Sequence, residues 1–170
     1  MIVMKGEGLD MGNSIRLALY HEQYDQDLDD FALRGDQLQF TAMPADVIDE
    51  AIQNPDKDPM VILHEEKAVG FFILHKNSEY VEDKDASHTI LIRALSISME
   101  HQGNGYAKAA MKALPEFVLH RYRDIDEIIL AVNERNIAAQ QLYLKLGFLD
   151  RGVRKMGIHG QQLILHNRIT

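Results

Sequence analysis

The feature that most constrains the fold of this chain is a pair of glycines between a β-like segment and a helix-like segment. Residues Leu95 to Ser98 form the β-like segment, Gly103 and Gly105 follow a short polar turn, and the helix-like run begins at Lys108. A strand, a glycine loop and a helix N-terminus in this order present unpaired backbone N–H groups at the positive end of the helix dipole. The sequence therefore predicts an anion site here, with a phosphorylated ligand.

Length and composition narrow the class of protein. The chain has 170 residues, of which 46% are hydrophobic, and it has no cysteine and a net charge of −8. These values predict one globular domain over residues 1–170, with a loose segment at 1–13. The absence of cysteine excludes disulfides and a cysteine nucleophile, and it favours a reducing, cytoplasmic location. The acidic balance argues against nucleic-acid binding, and we find neither a secretory pattern nor an apolar run of membrane-spanning length.

Hydrophobic periodicity predicts a mixed α/β sheet with helices on its faces, in the order β-α-α-β-β-β-α-β-α-β-β. Before the glycine loop, the predicted elements are a strand at 14–20, helices at 21–33 and 44–53, a hairpin of 60–64 and 68–75, and a strand at 88–98. After it, they are a helix ending near 123, a strand at 127–133, a helix at 136–146, and strands at 148–156 and 161–168. Pro115 lies inside the helix that follows the loop and predicts a kink near Met111.

The loop does not fit two widespread phosphate-binding motifs. Lys108 occupies the place of the third glycine in a dinucleotide-binding fingerprint, and no suitable acidic residue follows it. The Gly-Lys-Ser/Thr ending of a P-loop is also missing. Neither motif therefore accounts for the loop.

Two blocks of the sequence resemble the GNAT (GCN5-related N-acetyltransferase) family. The acyl-CoA-binding pattern of that family is Leu-x-Val-x-Pro, then after two residues Gln/Arg-x-x-Gly-x-Gly/Ala. In this chain its places are filled by Leu95, Ile97, Gln102, Gly105 and Ala107, with Met99 where proline is common. The second block, NIAAQQLYLKLGF at 136–148, is similar to the family pattern Asn-x-x-Ala-x-x-Leu-Tyr-x-x-x-Gly-Phe. An ordinary strand-to-helix turn would explain the two glycines but not the second block.

The resemblance implies a mostly antiparallel central sheet of about seven strands flanked by about four helices, with acetyl-CoA as co-substrate. The implied pantetheine site is the backbone of Leu95, Ser96 and Ile97, with Asn133 on the facing strand. The implied pyrophosphate site is formed by Gln102, Gly103, Asn104, Gly105, Tyr106 and Ala107. Asn136, at the start of the next predicted helix, is also implied to bind the cofactor. Glycine suits this loop because larger side chains would obstruct the approach of the pyrophosphate.

The resemblance also implies a catalytic role for Tyr143, since a tyrosine at this place in the family often protonates the departing CoA thiolate. A phenol with an ordinary pKa of about 10 is neutral at pH 7 and can donate a proton. The general base stays open between Glu100, His88 and a chain of water molecules, with Glu100 as the first choice. The strand HTILIRALSIS contains no carboxylate before Glu100. An amide N–H near Ile97 is expected to stabilise the tetrahedral oxyanion.

The implied reaction is direct attack of a primary amine on acetyl-CoA in a ternary complex, by a monomer or homodimer. The acidic run of Asp25, Asp27 and Asp29 favours a small cationic amine as acceptor. The same run imitates a calcium loop, but Asp30 replaces its glycine and Asp36 its bidentate glutamate, so we predict no metal. A protein N-terminus or lysine as acceptor, and a CoA-binding module without catalysis, are the alternatives.

Overall fold

The computed structural model of the chain describes residues 14–81 and 86–170, and the predicted loose segment 1–13 lies outside them. The strands are β1 (Ile15–Leu19), β2 (Lys57–His64), β3 (Lys67–Lys76), β4 (Thr89–Ile97), β5 (Glu127–Asn133), β6 (Leu149–Gly157) and β7 (Gly160–Arg168). The α-helices are α1 (Asp25–Asp29), α2 (Pro44–Gln53), α3 (Tyr106–Arg121) and α4 (Ile137–Lys145), and 3-10 turns occupy Glu22–Tyr24 and Met99–His101. None of the helices in these two ranges is long and apolar enough to cross a membrane.

The strands form one seven-stranded sheet in the spatial order β1-β2-β3-β4-β5-β7-β6. Within the described residues, every neighbouring pair is antiparallel except β4 and β5, which are parallel. A parallel pair needs a long crossover connection, and here α3 provides it. The predicted fold class and order of elements are thereby confirmed.

The sheet is covered on both faces. On one face, the buried residues of α3 pack with β-strand residues that include Ile62, Phe72 and Ile90. On the other, residues from α1 and α2 pack with Val61, Phe71 and Ile73. Neighbouring strand residues point to opposite faces, so Phe71 and Phe72 serve different cores. We call the two sides the α3 face and the α1/α2 face.

Strands β4 and β5 diverge halfway along, and this divergence positions the site. Their register joins Thr89–Ile92 to Glu127–Leu130 and stops there. On the other edge of β4, the pairing with β3 contains an irregularity near Ala94, whose φ of 54° is left-handed. Such a bulge bends a strand and increases its local twist. The second half of β4 therefore turns away from β5 and leaves an open wedge between them.

The predicted helix at 21–33 is wrong over its second part, because α1 ends at Asp29. The backbone after α1 bonds to the end of β4 instead of continuing the helix. The Ala32 N–H donates to Ser98 Oγ at 3.1 Å, and the Ala32 carbonyl accepts the Met99 N–H at 2.7 Å. These long-range bonds compete successfully with helix propensity, which is a weak preference. The other predicted strands and helices are present, with small shifts at their ends.

Gly70 is a point on β3 where the sheet leaves no room for a side chain. A Cβ there would lie 2.7 Å from Ile97 Cδ1 and 2.8 Å from Ile62 Cδ1. We expect Gly70→Ala to lower the free energy of unfolding by about 1–3 kcal/mol through overpacking, measured by urea denaturation. Gly35→Ala is the matched control, since its Cβ would meet nothing within 4 Å. Equal losses in both variants would contradict this account.

Candidate active site

The wedge between β4 and β5 opens into a cleft with a volume of about 630 Å³. One wall comes from β4, the other from β5 and α4, and residues between α1 and α2 cover it. The predicted site residues that line it are Leu95, Ser96, Ile97, Gln102, Ala107, Asn133, Asn136 and Tyr143. The structure thus brings together residues from both blocks of the sequence.

Strand β4 offers backbone groups to the cleft. The Ser98 N–H donates to the Val69 carbonyl of β3 at 2.9 Å. Alternate strand residues direct their backbone groups to opposite edges, so Leu95 and Ile97 direct theirs into the wedge. The Leu95 carbonyl accepts a hydrogen bond of 3.3 Å from Thr41 Oγ1. An extended ligand with amide groups can pair with this edge as an added strand would.

The glycine loop borders the cleft through Gln102 and Ala107, whereas Gly103, Asn104, Gly105 and Tyr106 between them do not line it. Gly103 and Gly105 adopt left-handed φ values of 82° and 77°, and no acceptor within the described residues takes their N–H groups. Helix α3 begins at Tyr106, so the N–H groups of its first turn also lack intrahelical acceptors. A Cβ on Gly103 would meet nothing within 4 Å, which leaves space for a ligand. Consecutive N–H groups of this kind form an anion-binding concavity.

The side chains of the loop stabilise the loop itself. Gln102 Nε2 donates to the Ile97 carbonyl at 2.8 Å, and Asn104 Nδ2 donates to a carbonyl of the preceding turn at 3.0 Å. The Tyr106 ring is buried and stacks on the His64 ring, with centroids 4.9 Å apart. These contacts hold the loop in shape and leave its backbone to face a ligand.

Helix α4 carries Tyr143 into the cleft. Asn136 caps this helix, because its Oδ1 accepts the Ala139 N–H at 3.3 Å, and Gly147 follows its end with a φ of 97°. The Tyr143 ring meets the Phe148 ring edge-on at 5.8 Å. Burial raises the pKa of Tyr143 to about 12, and no described residue hydrogen-bonds to its hydroxyl. The hydroxyl is therefore protonated at neutral pH and available to a ligand.

The side chain of Asn133 is already engaged at the end of β5. Its Nδ2 donates to the His159 carbonyl at 2.9 Å, and its Oδ1 accepts the Arg135 N–H at 2.9 Å. Asn133 thus joins β5 to the turn between β6 and β7 and shapes the wall of the cleft. In the predicted contact with pantetheine, the Asn133 side chain would have to bind the ligand in addition to these two hydrogen bonds.

The two side chains predicted as candidate bases lie outside the cleft lining. Glu100 is in the turn after β4, with 61% of its side chain exposed, and its Oε1 lies 3.7 Å from Lys67 Nζ and 3.2 Å from His101 Nε2. His88 lies before the first residue of β4, and its Nδ1 is 2.9 Å from the Asp124 carbonyl. The structure does not bring either side chain together with Tyr143.

Sequence reasoning missed the basic side of the cleft, whose centre is Arg93. This residue lies on β4 opposite Ile73 and lines the cleft. Its Nη1 is 3.0 Å from Glu79 Oε1 and 3.2 Å from His75 Nδ1, and its guanidinium lies 5.5 Å from the centroid of the Tyr80 ring. The available signal was a single basic residue within an apolar strand.

The charges around Arg93 follow from their surroundings. Burial, followed by the charge of Arg93, lowers the pKa of His75, so its neutral ring can accept a hydrogen bond from the guanidinium. Burial by itself would raise the pKa of Glu79. Hydrogen bonds from its own backbone and from Arg93 outweigh that effect and lower the pKa to about 2. At pH 7 the cluster therefore contains an ionised carboxylate, a guanidinium and a neutral imidazole.

The acidic run of the sequence does not form a wall of the cleft. Asp25 accepts a hydrogen bond from the Tyr20 hydroxyl, and Asp27 accepts the Ala68 N–H at 2.9 Å. Among the described residues that line the cleft, Asp36 is the single carboxylate. No group of three or more His, Asp or Glu side chains in the described ranges is arranged to hold a metal ion.

A wedge between parallel strands, bordered by a glycine loop at a helix start, is suited to an acyl-CoA-dependent acyltransferase. The chain matches the Acetyltransferase (GNAT) family over residues 18–148 and belongs to that family. It is 43% identical over 158 residues to the N-acetyltransferase YbbJ of Bacillus subtilis strain 168, a match that covers 92% of this chain and 99% of that protein. It is 26% identical over 136 residues to the spermine/spermidine N(1)-acetyltransferase of the same strain, covering 80% and 87%.

Solved structures share this fold at low sequence identity. Aminoglycoside acetyltransferase AAC(6')-Ib in complex with coenzyme A and kanamycin aligns with a TM-score of 0.73 and 18% identity, covering 91% of this chain and 95% of that one. Spermidine N-acetyltransferase from Vibrio cholerae in complex with CoA and spermine aligns with a TM-score of 0.68 and 15% identity, with the same coverage. The predicted family, its enzyme class and acetyl-CoA as co-substrate are thereby confirmed.

Proposed function

We propose that this enzyme transfers the acetyl group of acetyl-CoA to a primary amine of a small molecule, by direct attack in a ternary complex. The observation that carries the proposal is the wedge, which reaches both faces of the sheet. Tyr143 packs on the α3 face, whereas Arg93 pairs opposite Ile73, a residue of the α1/α2 face. A donor and an acceptor can therefore enter the wedge from opposite faces and be bound at the same time, as a ternary complex requires.

Each part of the donor site has a role in this proposal. Gly103 and Gly105 present N–H groups to the pyrophosphate, and Leu95 and Ile97 pair with the pantetheine amides. Tyr143 donates its proton to the departing thiolate, which its raised pKa permits at neutral pH. The chain contains no cysteine, so a cysteine acyl-enzyme is excluded.

The amine must lose a proton before it attacks. An alkyl ammonium with a pKa of about 10.4 is about 0.1% neutral or less near pH 7, which corresponds to roughly 4 kcal/mol. Glu100 and His88 lie outside the cleft lining, so we assign this proton transfer to water molecules in the open cleft. The enzyme supplies mainly the positioning of the two substrates.

The cleft has the size of a small-molecule site. Its volume of about 630 Å³, which donor and acceptor share, falls within the range of such sites. Relatives named as spermine, spermidine and aminoglycoside acetyltransferases support a small amine over a protein terminus or lysine. We retain a single catalytic domain, a cytoplasmic location and a monomer or homodimer as predictions from the sequence.

A panel of small amines and peptides tests the proposal. The enzyme is incubated with acetyl-CoA and each acceptor, and the release of free CoA thiol and the mass of the acetylated product are measured. We expect product with at least one small amine. Tight CoA binding without turnover of any amine would show a CoA-binding module instead. Turnover restricted to peptides would contradict the choice of a small acceptor.

A further inference from the structure

We propose that the amine acceptor carries a carboxylate, which binds to Arg93 on the α1/α2 side of the wedge. The acceptor would then be an amino-acid-like molecule, with an amine to be acetylated and an anionic group that orients it. This inference rests on the proposed small-amine acetyltransferase and specifies the class of its acceptor. Its physical basis is a guanidinium with donors that no described residue uses, on the same face of the sheet as a buried hydroxyl without a partner among the described residues.

Arg93 is held in place but keeps part of its guanidinium for a ligand. Both hydrogen bonds that hold it, to Glu79 and His75, use Nη1. No described residue hydrogen-bonds to its Nε or Nη2, and 32% of the side chain is exposed. A guanidinium presents its donors in a planar fork that matches a carboxylate in a bidentate pair. Arg93 is thus oriented in advance for an anionic group that enters the cleft.

Ser96 provides an independent indication of a ligand. It is 7% exposed, it lines the cleft, and its Oγ makes no hydrogen bond within the described residues. In the pairing of β3 with β4, Ser96 lies opposite Phe71 and Arg93 lies opposite Ile73. Phe71 and Ile73 are two residues apart on β3, so Ser96 and Arg93 lie on the same face of the sheet. Buried hydroxyls nearly always have a partner. A polar group of the acceptor on this face would supply it.

The charges on this side of the wedge agree with a carboxylate more than with a polycation. Arg34 and Arg93 line the cleft. Lys155 Nζ lies 4.4 Å from the centroid of the Tyr80 ring, which also contacts the Arg93 guanidinium. The described carboxylates nearby are Asp36, which is 3.6 Å from Arg34, and Glu79. Among the described residues on this side, Arg34, Arg93 and Lys155 thus stand against Asp36 and Glu79, although the whole chain has a net charge of −8. A polyamine acceptor would need the opposite balance.

Matched pairs of amines that differ by one carboxylate test the inference. The pairs are lysine and cadaverine, ornithine and putrescine, histidine and histamine, tryptophan and tryptamine, and phenylalanine and phenethylamine. We expect the preferred acceptor to be a carboxylate-bearing member, with a kcat/KM at least about tenfold above its decarboxylated partner, because charge-assisted hydrogen bonds to Arg93 are lost in the latter. Equal or higher kcat/KM for the decarboxylated amines would overturn the inference.

Variants locate the effect. Arg93→Gln is expected to lower kcat/KM for the carboxylate-bearing acceptor by about tenfold or more and to leave its decarboxylated partner within about threefold. Arg93→Lys should restore part of the loss, since it keeps the charge but not the fork. Arg168→Gln, which removes a surface pair with Asp126 at 3.6 Å, is the control and should change neither substrate.

Ser96→Ala keeps the test decisive if Arg93→Gln does not fold. Its hydroxyl loses no hydrogen bond to any described residue, so the variant should fold normally. We expect a KM for the carboxylate-bearing acceptor that is raised relative to the KM for its decarboxylated partner, and an unchanged ratio of the two KM values would count against the inference. Acetylation of decarboxylated amines alone refutes this inference and supports the proposed function. The absence of any acetylated small amine refutes both.

Discussion

Gly105→Val is expected to raise the Kd for CoA about 30- to 100-fold, as measured by isothermal titration calorimetry. Gly105 has a left-handed φ of 77° immediately before α3. A residue with a Cβ pays about 1–2 kcal/mol to adopt this conformation, and a β-branched residue pays more. The loop would relax to avoid this strain, and its N–H groups would no longer converge on the pyrophosphate.

Gly152→Val is the matched control for backbone strain. Gly152 has a similar φ of 84°, a Cβ there would meet nothing within 4 Å, and it lies in β6, outside the loop before α3. The two variants should lose similar amounts of unfolding free energy, but Gly152→Val should bind CoA as the natural chain does. A Kd for CoA within about threefold of normal in Gly105→Val would remove this loop from the donor site.

Tyr143→Phe is expected to lower kcat by about 100-fold or more while the KM for acetyl-CoA changes by less than about threefold, as general-acid catalysis predicts. The phenyl ring still packs against Phe148, so the binding surface is preserved. What is lost is the proton for the departing thiolate. Steady-state kinetics at saturating acetyl-CoA measures the effect.

The pH dependence of kcat supports the same test. Burial raises the pKa of Tyr143 from its ordinary value of 10 to about 12, which favours the protonated form in the folded enzyme. The donor is therefore present throughout the range from neutral pH to about pH 10, and kcat should show no decline caused by its ionisation there.

Tyr24→Phe is the control for loss of a buried hydroxyl. Tyr24 is 7% exposed and packs in the core of the α1/α2 face, away from the cleft lining. Its substitution should leave kcat unchanged. An unchanged kcat in Tyr143→Phe would remove Tyr143 from the chemical step.

Predictions about local structure succeeded where the residues themselves determine the backbone. Gly103 and Gly105 were predicted to lie between a strand and a helix, and they lie between the end of β4 at Ile97 and the start of α3 at Tyr106. The parallel neighbours β4 and β5 were predicted as strands at 88–98 and 127–133, and they are present at Thr89–Ile97 and Glu127–Asn133. These features depend on short-range sterics, hydrogen bonding and periodicity, which can be inferred from a single sequence.

Predictions that needed distant contacts were less successful. The helix predicted at 21–33 stops at Asp29 because Ala32 bonds to Ser98 and its neighbour at the end of β4. The basic cluster around Arg93 was missed because its members come from β3, β4 and the loop after β3. The roles assigned to Tyr143, Glu100 and the CoA-binding residues stay predictions until the variants are measured.

The sequence by itself determined the glycine loop, the helix start behind it and the family to which the chain belongs, because these depend on residues adjacent in the chain. The tertiary structure decided where β4 and β5 separate, which carboxylates stay outside the cleft and which cation lines it. Those outcomes depend on strand register, on a bulge at Ala94 and on the direction of each side chain from the sheet. Packing across the whole domain determines the register, the bulge and the side-chain directions. A shift of one residue in the register of β4 would place Arg93 and Ser96 on the opposite face of the sheet.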